Sequence, residues 1–485
     1  MKYRKEPENA GDIEMKDLNK ENDDNILEKV GSDSKTPFLE KEAPPPSDNS
    51  KKGTLDKIKN NLPKIIGSLI IFALIILGIV LYFKKEKPNM TVIGINFGSL
   101  NSGYYIIKDS NIMGNYNMNY SDIILDEYGL KGLEIGYRAH IYSKNDLEKE
   151  ERLYFSNIKR YLVKDEKIDE ETIFSDIPKQ KEGTLSIIIE EYLNLLKENI
   201  KKNEKINIIN NKYLKWVITV PSIWKKENKN ILEEILEDLE MENYEILSEV
   251  DASSIGIFYE ENIKQVLTRN KVYMLINIDL FNIDITINMV KDEKKNKIKQ
   301  LIPSLSYNSN INSSYSINEQ IIDILVHVFG YEDIQDIINN NYDLWQKTLD
   351  DIENKKLLIN ENMVEELDIL TKFSEGYKKY ILKEIWSVDY QNYEIKHSKG
   401  KVMIPLSLLK NLIHSYCKKV IQEIDNIIGN LKEKVDIFII GGEMSKSKIL
   451  QDNIMRSYGK SYEILYLDDI EKTIMKGSAI YGLKK

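Results

Sequence analysis

Val92-Ile93-Gly94-Ile95-Asn96-Phe97-Gly98-Ser99-Leu100-Asn101-Ser102-Gly103-Tyr104-Tyr105-Ile106 reads as a buried strand, a tight glycine-bearing turn and a second strand folding back on the first. The apolar run stops at Phe97-Gly98 and resumes at Tyr104. Between them, glycine and serine leave backbone N–H groups and small hydroxyls open to an anion, because neither residue puts bulk in the way. An ordinary hairpin turn has the same composition. The stretch decides the fold only in combination with the downstream segments and their order along the chain.

Downstream, short β-rich runs alternate with helical stretches, the pattern of an α/β domain. Leu147–Val163 reads as a charged helical segment and Thr184–Lys201 as a helix with Ile187, Ile188, Tyr192 and Leu195 on one face. A strand through Trp216–Val220 runs into Pro221-Ser222-Ile223-Trp224, and Ile231, Leu232, Ile235, Leu236 and Leu239 then recur at helical spacing. Leu247–Ser254 reads as a loop carrying Glu249. Val272–Asn277 is a buried strand. Ile283, Ile285, Ile287 and Met289 alternate with polar residues in a half-buried one, whose partner is Ile298–Tyr307. Helix is expected through much of 317–385 and across Leu409–Val420. Val435–Ser445 is a strand stopping at Gly441-Gly442, before a helix that starts near Ser447 and so favours negative charge at its N-terminus. Gly477–Gly482 closes the chain with small residues suited to close helix packing.

At 485 residues the chain exceeds one core. A net charge of −10 argues against a nucleic-acid partner, which normally meets a basic face. Cys417 is the single cysteine, so intramolecular disulfides and thiolate zinc sites are excluded. His140, His327, His397 and His414 form no metal-spaced cluster, and no residue is assigned as a metal ligand.

Residues 1–63 are polar and charge-rich and contain Pro44-Pro45-Pro46, so they bury too little apolar surface to order and are expected to be disordered. Residues 64–84 are expected to form one transmembrane helix: Ile65–Phe83 is uncharged and long enough for the roughly 30 Å of a bilayer core. The bilayer is thus an expected partner through 65–83. Lys51, Lys52, Lys57, Lys59 and Lys64 outnumber Lys84, Lys85 and Lys87, which puts the tail in the cytosol and the large domain in a lumenal or extracellular space. The large domain's protein partner is not legible.

In order and spacing, the pieces from about 91 to 485 resemble the nucleotide-binding domain of the seventy-kilodalton heat-shock chaperones, within the actin-like ATPase superfamily, and most of all the branch lacking the peptide-binding domain. Val92–Gly103 resembles the first phosphate loop and Thr219–Trp224 the strand-end Thr-Val-Pro segment. Ser248–Ser254 resembles the glutamate-bearing loop and Ile437–Leu450 the adenosine-contacting Gly-Gly turn. The fold this implies is α/β and two-lobed: an actin-like ATPase fold with ribonuclease-H-like lobes around a central cleft, preceded by the tail and the membrane span. Lobe I would cover 90–271 and lobe II 272–485, with a return to lobe I at the C-terminus. ATP or ADP is the implied ligand. Asn96, Gly98, Ser99, Ser102, Asp284, Gly441 and Gly442 match cofactor contacts, while Lys159 and Glu249 match the catalytic lysine and water-orienting glutamate of an active member.

The departures from the family's pattern shape the functional expectation. Asn96 replaces an Asp that helps to hold the metal's water shell, which weakens the site for Mg²⁺. The second phosphate loop, normally rich in glycine, reads Asn277-Ile278-Asp279-Leu280-Phe281-Asn282-Ile283-Asp284, and a later Gly-Gly contact is Ser313-Ser314. An added carboxylate repels a triphosphate, and Leu280 and Phe281 block its approach. The expectation is a weak nucleotide binder and pseudo-ATPase that works as a scaffold or interaction module. The alternatives are an active ATP hydrolase with chaperone-related activity and a chaperone-like holdase.

Overall fold

Each of two five-stranded sheets begins with an apolar strand joined to its return partner by a short turn. The computed structural model describes residues 90–484, apart from 109–110, 143, 164–170, 178–180, 205–212, 294, 308–312, 364–366, 370–384 and 399–400. In the first sheet β1 (Thr91–Asn96), β2 (Asn101–Lys108) and β3 (Asn111–Tyr120) form an antiparallel meander, and β4 (Leu214–Val220) and β5 (Tyr244–Ser248) continue parallel to β1, in the order 3-2-1-4-5. The second sheet repeats the plan. β6 (Val272–Ile278), β7 (Ile283–Asp292) and β8 (Lys297–Tyr307) meander, and β9 (Ile437–Gly441) and β10 (Glu463–Tyr466) run parallel to β6, in the order 8-7-6-9-10.

Both sheets are covered on both faces, so their central strands are apolar throughout rather than alternating. Ile93, Ile95, Trp216 and Ile218 pack with the Leu185–Glu204 and Lys226–Asp238 helices on the outer side of the first sheet. Met274, Ile276, Phe438 and Ile440 pack with the Tyr315–Phe329, Leu406–Asn430 and Lys448–Tyr458 helices on the outer side of the second. The inner faces share one core: Val92 and Val217 from the first sheet and Leu275 and Ile439 from the second enclose Ala252 and Ile255 of the Glu249–Gly256 helix, with Ile474, Met475 and Ala479 of the Ile470–Lys484 helix.

Several expectations need correction. No helix among the described residues is long and apolar enough to cross a membrane. Residues 1–89, which carry the expected tail and span, lie outside the described residues. Among the described residues the fold is mixed α/β with no membrane-spanning helix, against the expected single-pass location. Leu147–Val163 is not one helix. A helix over Lys144–Lys149 is followed by the strand Leu153–Phe155, which pairs with Ile123–Leu125, and then by a short Lys159–Leu162 helix. Among the described residues between 317 and 385, helix runs as far as Leu358, and a four-stranded sheet of Leu367–Ile369, Ile385–Tyr390, Tyr393–Ser398 and Lys401–Ile404 follows. Glu249 is the first residue of a helix, not part of a loop, because Ser248 caps that helix by accepting the Asp251 N–H at 3.1 Å.

Candidate functional site

The carboxyl ends of parallel strands are where an open α/β sheet presents residues to a ligand, and here the ends of β1, β5, β6 and β9 converge. Asn157, with a left-handed φ of 49°, turns the chain after Leu153–Phe155 and is held by its N–H donating to Asp122 Oδ1 at 3.0 Å. The turn aims Lys159 inward. Lys159, Glu249 and Asp279 are 1%, 0% and 6% exposed. The Lys159 ammonium donates to Glu249 Oε2 at 2.8 Å and to Asp279 Oδ2 at 2.7 Å.

Asp279 is held as firmly as the lysine. Its Oδ1 accepts the Leu280 N–H at 2.8 Å, and its own N–H closes the β6–β7 turn on the Asn282 carbonyl at 3.0 Å. Burial works against the Asp279 carboxylate, but the Lys159 charge overrides it and holds the group below its ordinary range. Burial likewise disfavours the Lys159 cation, yet Asp279 and Glu249 keep it charged beyond the ordinary lysine range. Glu249 goes the other way: burial pushes it up to about 7 despite Lys159, and its Oε1 has no hydrogen-bond partner.

Stability should therefore depend on pH through Glu249. A folded-state pKa above the ordinary 4.5 means that the folded chain keeps a proton the unfolded chain has released. This contribution is complete below that ordinary value and is lost as pH rises through about 7. Urea midpoints should fall between about pH 5 and about pH 8, and Glu249→Gln should flatten the fall. Equal slopes for variant and parent would mean that Glu249 does not carry it.

The other residues picked from the sequence surround this cluster but face their neighbours. Asn96 Oδ1 accepts from the Thr219 hydroxyl at 2.7 Å. The Gly98 carbonyl accepts from the Ser121 hydroxyl at 2.9 Å, and Ser121 also pairs with Ser102 at 2.7 Å. Ser99 is buried in the same turn. Asp284 Oδ2 accepts from Asn282 at 2.9 Å, and burial raises its carboxyl. Gly441 lies under Ile470. Gly442, at φ 94°, packs so closely on Ile278 that a Cβ there would sit 2.3 Å from its carbonyl oxygen.

Two sets of aromatic and apolar contacts bridge the cleft. Leu280 and Phe281 pack with Val163, Leu100 and Tyr315, the Phe281 and Tyr315 rings 5.4 Å apart, so the second loop plugs the space between the sheets. Farther out, Tyr154 and Tyr342 meet edge-on at 6.3 Å, and the Lys144 N–H reaches Asp343 at 3.3 Å. A cavity beside Gly442 holds about 150 Å³. It is lined by Asp279, Glu443, Asp468, Asp469 and Glu471 against one lining cation, Lys446, itself paired with Glu443 at 2.8 Å. Desolvation, then the nearby Asp279 charge, pushes the Glu471 carboxyl well above its usual range.

These residues do not fit a magnesium triphosphate. The Lys159 charge is neutralised from within, the turn carrying Leu280 and Phe281 is apolar and packed, and the open volume is acidic, where Coulomb repulsion opposes a polyanion. Among the described residues no group of three or more His, Cys, Asp or Glu is arranged to hold a metal ion. No protein-family model matches the chain, and a comparison with curated proteins finds no significant match.

Proposed function

We propose that the chain is a divergent relative of the actin-like ATPases, similar to the heat-shock-chaperone nucleotide-binding domain, that does not run a hydrolytic cycle and serves as a scaffold or interaction module with its cleft held shut by its own side chains. The observation that carries this reading is the Asp279 carboxylate seated on Lys159, an internal anion where an external one would otherwise be drawn. The repeated strand order of the two sheets supports the superfamily likeness. Phosphoryl transfer works by positioning and charge neutralisation, and a lysine already committed to two carboxylates supplies neither.

Calorimetric titration of Mg-ATP, Mg-ADP and adenosine into the full chain tests this. Weak, similar binding of all three, or none, is the expected result. Tight binding that depends on Mg²⁺ and the γ-phosphate, with steady phosphate release abolished by Glu249→Ala, would replace the scaffold with an ATP hydrolase.

A further inference from the structure

A histidine also reaches across the cleft. Asp122 precedes the strand Ile123–Leu125, whose Ile123 and Leu125 pack in the outer core of the first sheet, and His140 lies in the Tyr137–Ile141 helix. His140 Nδ1 is 2.8 Å from Asp122 Oδ2, and its ring stacks on Tyr120 at 3.8 Å. The same Asp122 oxygen accepts the Tyr154 hydroxyl at 2.7 Å, and Oδ1 accepts the Asn157 N–H. A carboxylate accepts and cannot donate, so Nδ1 carries the proton of the neutral ring and its tautomer is set. That leaves Nε2 a bare lone pair facing Asp350 Oδ2, 3.9 Å away on the Tyr342–Leu358 helix of the second-sheet side. Gln346 donates to the other Asp350 oxygen at 3.1 Å, which keeps Oδ2 turned toward the ring.

While the ring is neutral, two acceptors therefore oppose one another. A proton on Nε2 turns the same atoms into a charge-assisted donor and acceptor, whose usual separation is about 2.7–2.9 Å. Histidine ordinarily gains that proton between about pH 8 and pH 5. The neighbouring charges are committed elsewhere: Arg138 to Glu134, Arg160 to Asp176 and Lys356 to Glu353. Asp343 accepts the Lys144 N–H. The Lys144 ammonium, brought down to about 8 by burial, donates to the Ala139 and His140 carbonyls and sits over the Tyr154 ring. Burial raises the Tyr120 and Tyr154 hydroxyls, and Tyr137 packs beside Tyr120. Burial also raises the Asp350 carboxyl, against the Gln346 hydrogen bond and the His140 charge.

We infer that His140 is a proton-operated clasp: taking a proton from solvent at Nε2, it donates to Asp350 and ties the Tyr137–Ile141 helix to the Tyr342–Leu358 helix, and returning the proton releases them. The clasp closes as pH falls, and it does not rest on the nucleotide reading. The test is hydrogen–deuterium exchange on the full chain at about pH 5.5, 6.5 and 7.5, corrected for the intrinsic pH dependence of exchange. Peptides from both helices should be at least threefold better protected at the acid end than at the other. The gain should persist in Glu249→Gln, which separates it from the pH dependence carried by that carboxyl. It should vanish in Asp350→Asn, because an amide donates to the neutral ring and accepts from the charged one. If that variant fails to fold, His140→Asn, which keeps a donor for Asp122 and offers nothing to Asp350, makes the same comparison. Equal protection across the range, a gain lost in Glu249→Gln, or one that survives removal of either clasp residue would overturn the inference.

Discussion

Lys159→Met is expected to destabilise the chain by about 3–5 kcal/mol, read as a lower urea midpoint at nearly unchanged slope. The ammonium is buried with two carboxylates at 2.7 and 2.8 Å, so removing it strands two acidic groups away from water. Asp279 is the worse placed, because its ionised form is held by that lysine. Glu249, already pushed up to about 7, takes a proton more readily. The penalty comes from uncompensated charge and not from lost packing, since methionine fills much of the same volume. Combining Lys159→Met with Asp279→Leu and Glu249→Gln should therefore recover most of the loss, as buried ion clusters replaced by neutral groups usually do. A loss below about 1 kcal/mol for the single change is what a solvated pair gives, and it would mean that the cleft opens to water and is not locked by this contact.

The strands that build both sheets are legible because they are short β-branched runs: Val92–Asn96, Trp216–Val220, Val272–Asn277, the Ile283–Met289 alternation with its partner, and Ile437–Ile440. Which strand lies beside which is not legible locally. β1 finds β4 across more than a hundred residues, and only packing both faces of each sheet settles that order. The first strand of the 367–404 sheet, Leu367–Ile369, falls inside the stretch read as helix because three residues are too few to show a period of their own. Glu249 looks like a solvated loop residue, and the capping serine before it is the available signal. Asp279 reads as a charge that would repel phosphate. That it instead meets Lys159, 120 positions earlier, depends on closure of the cleft, which no local pattern encodes.

The small-residue run at the C-terminus is suited to close packing, and the structure turns it into a second large effect. Gly477→Val should leave no soluble native chain, and Gly477→Ala should cost about 1–3 kcal/mol or more. A Cβ at Gly477 would lie 1.9 Å from the Ala252 carbonyl oxygen, and one at Gly256 would lie 2.1 Å from the Thr473 carbonyl oxygen. These are backbone-to-backbone contacts between the two helices enclosed by both sheets, so no rotamer change relieves them. The gain in helix propensity from replacing glycine, about 1 kcal/mol, does not offset a displacement of that size. Gly429, in the Leu406–Asn430 helix with nothing within 4 Å of its would-be Cβ, is the control: Gly429→Ala should be neutral or stabilise by up to about 1 kcal/mol. Equal effects at the two sites would show that the central helices slide past one another. They tie the strand ends bearing Asn96 and Asp279 into one core, so helices free to slide could not hold Asp279 on Lys159, and the closed cleft would lose its structural basis.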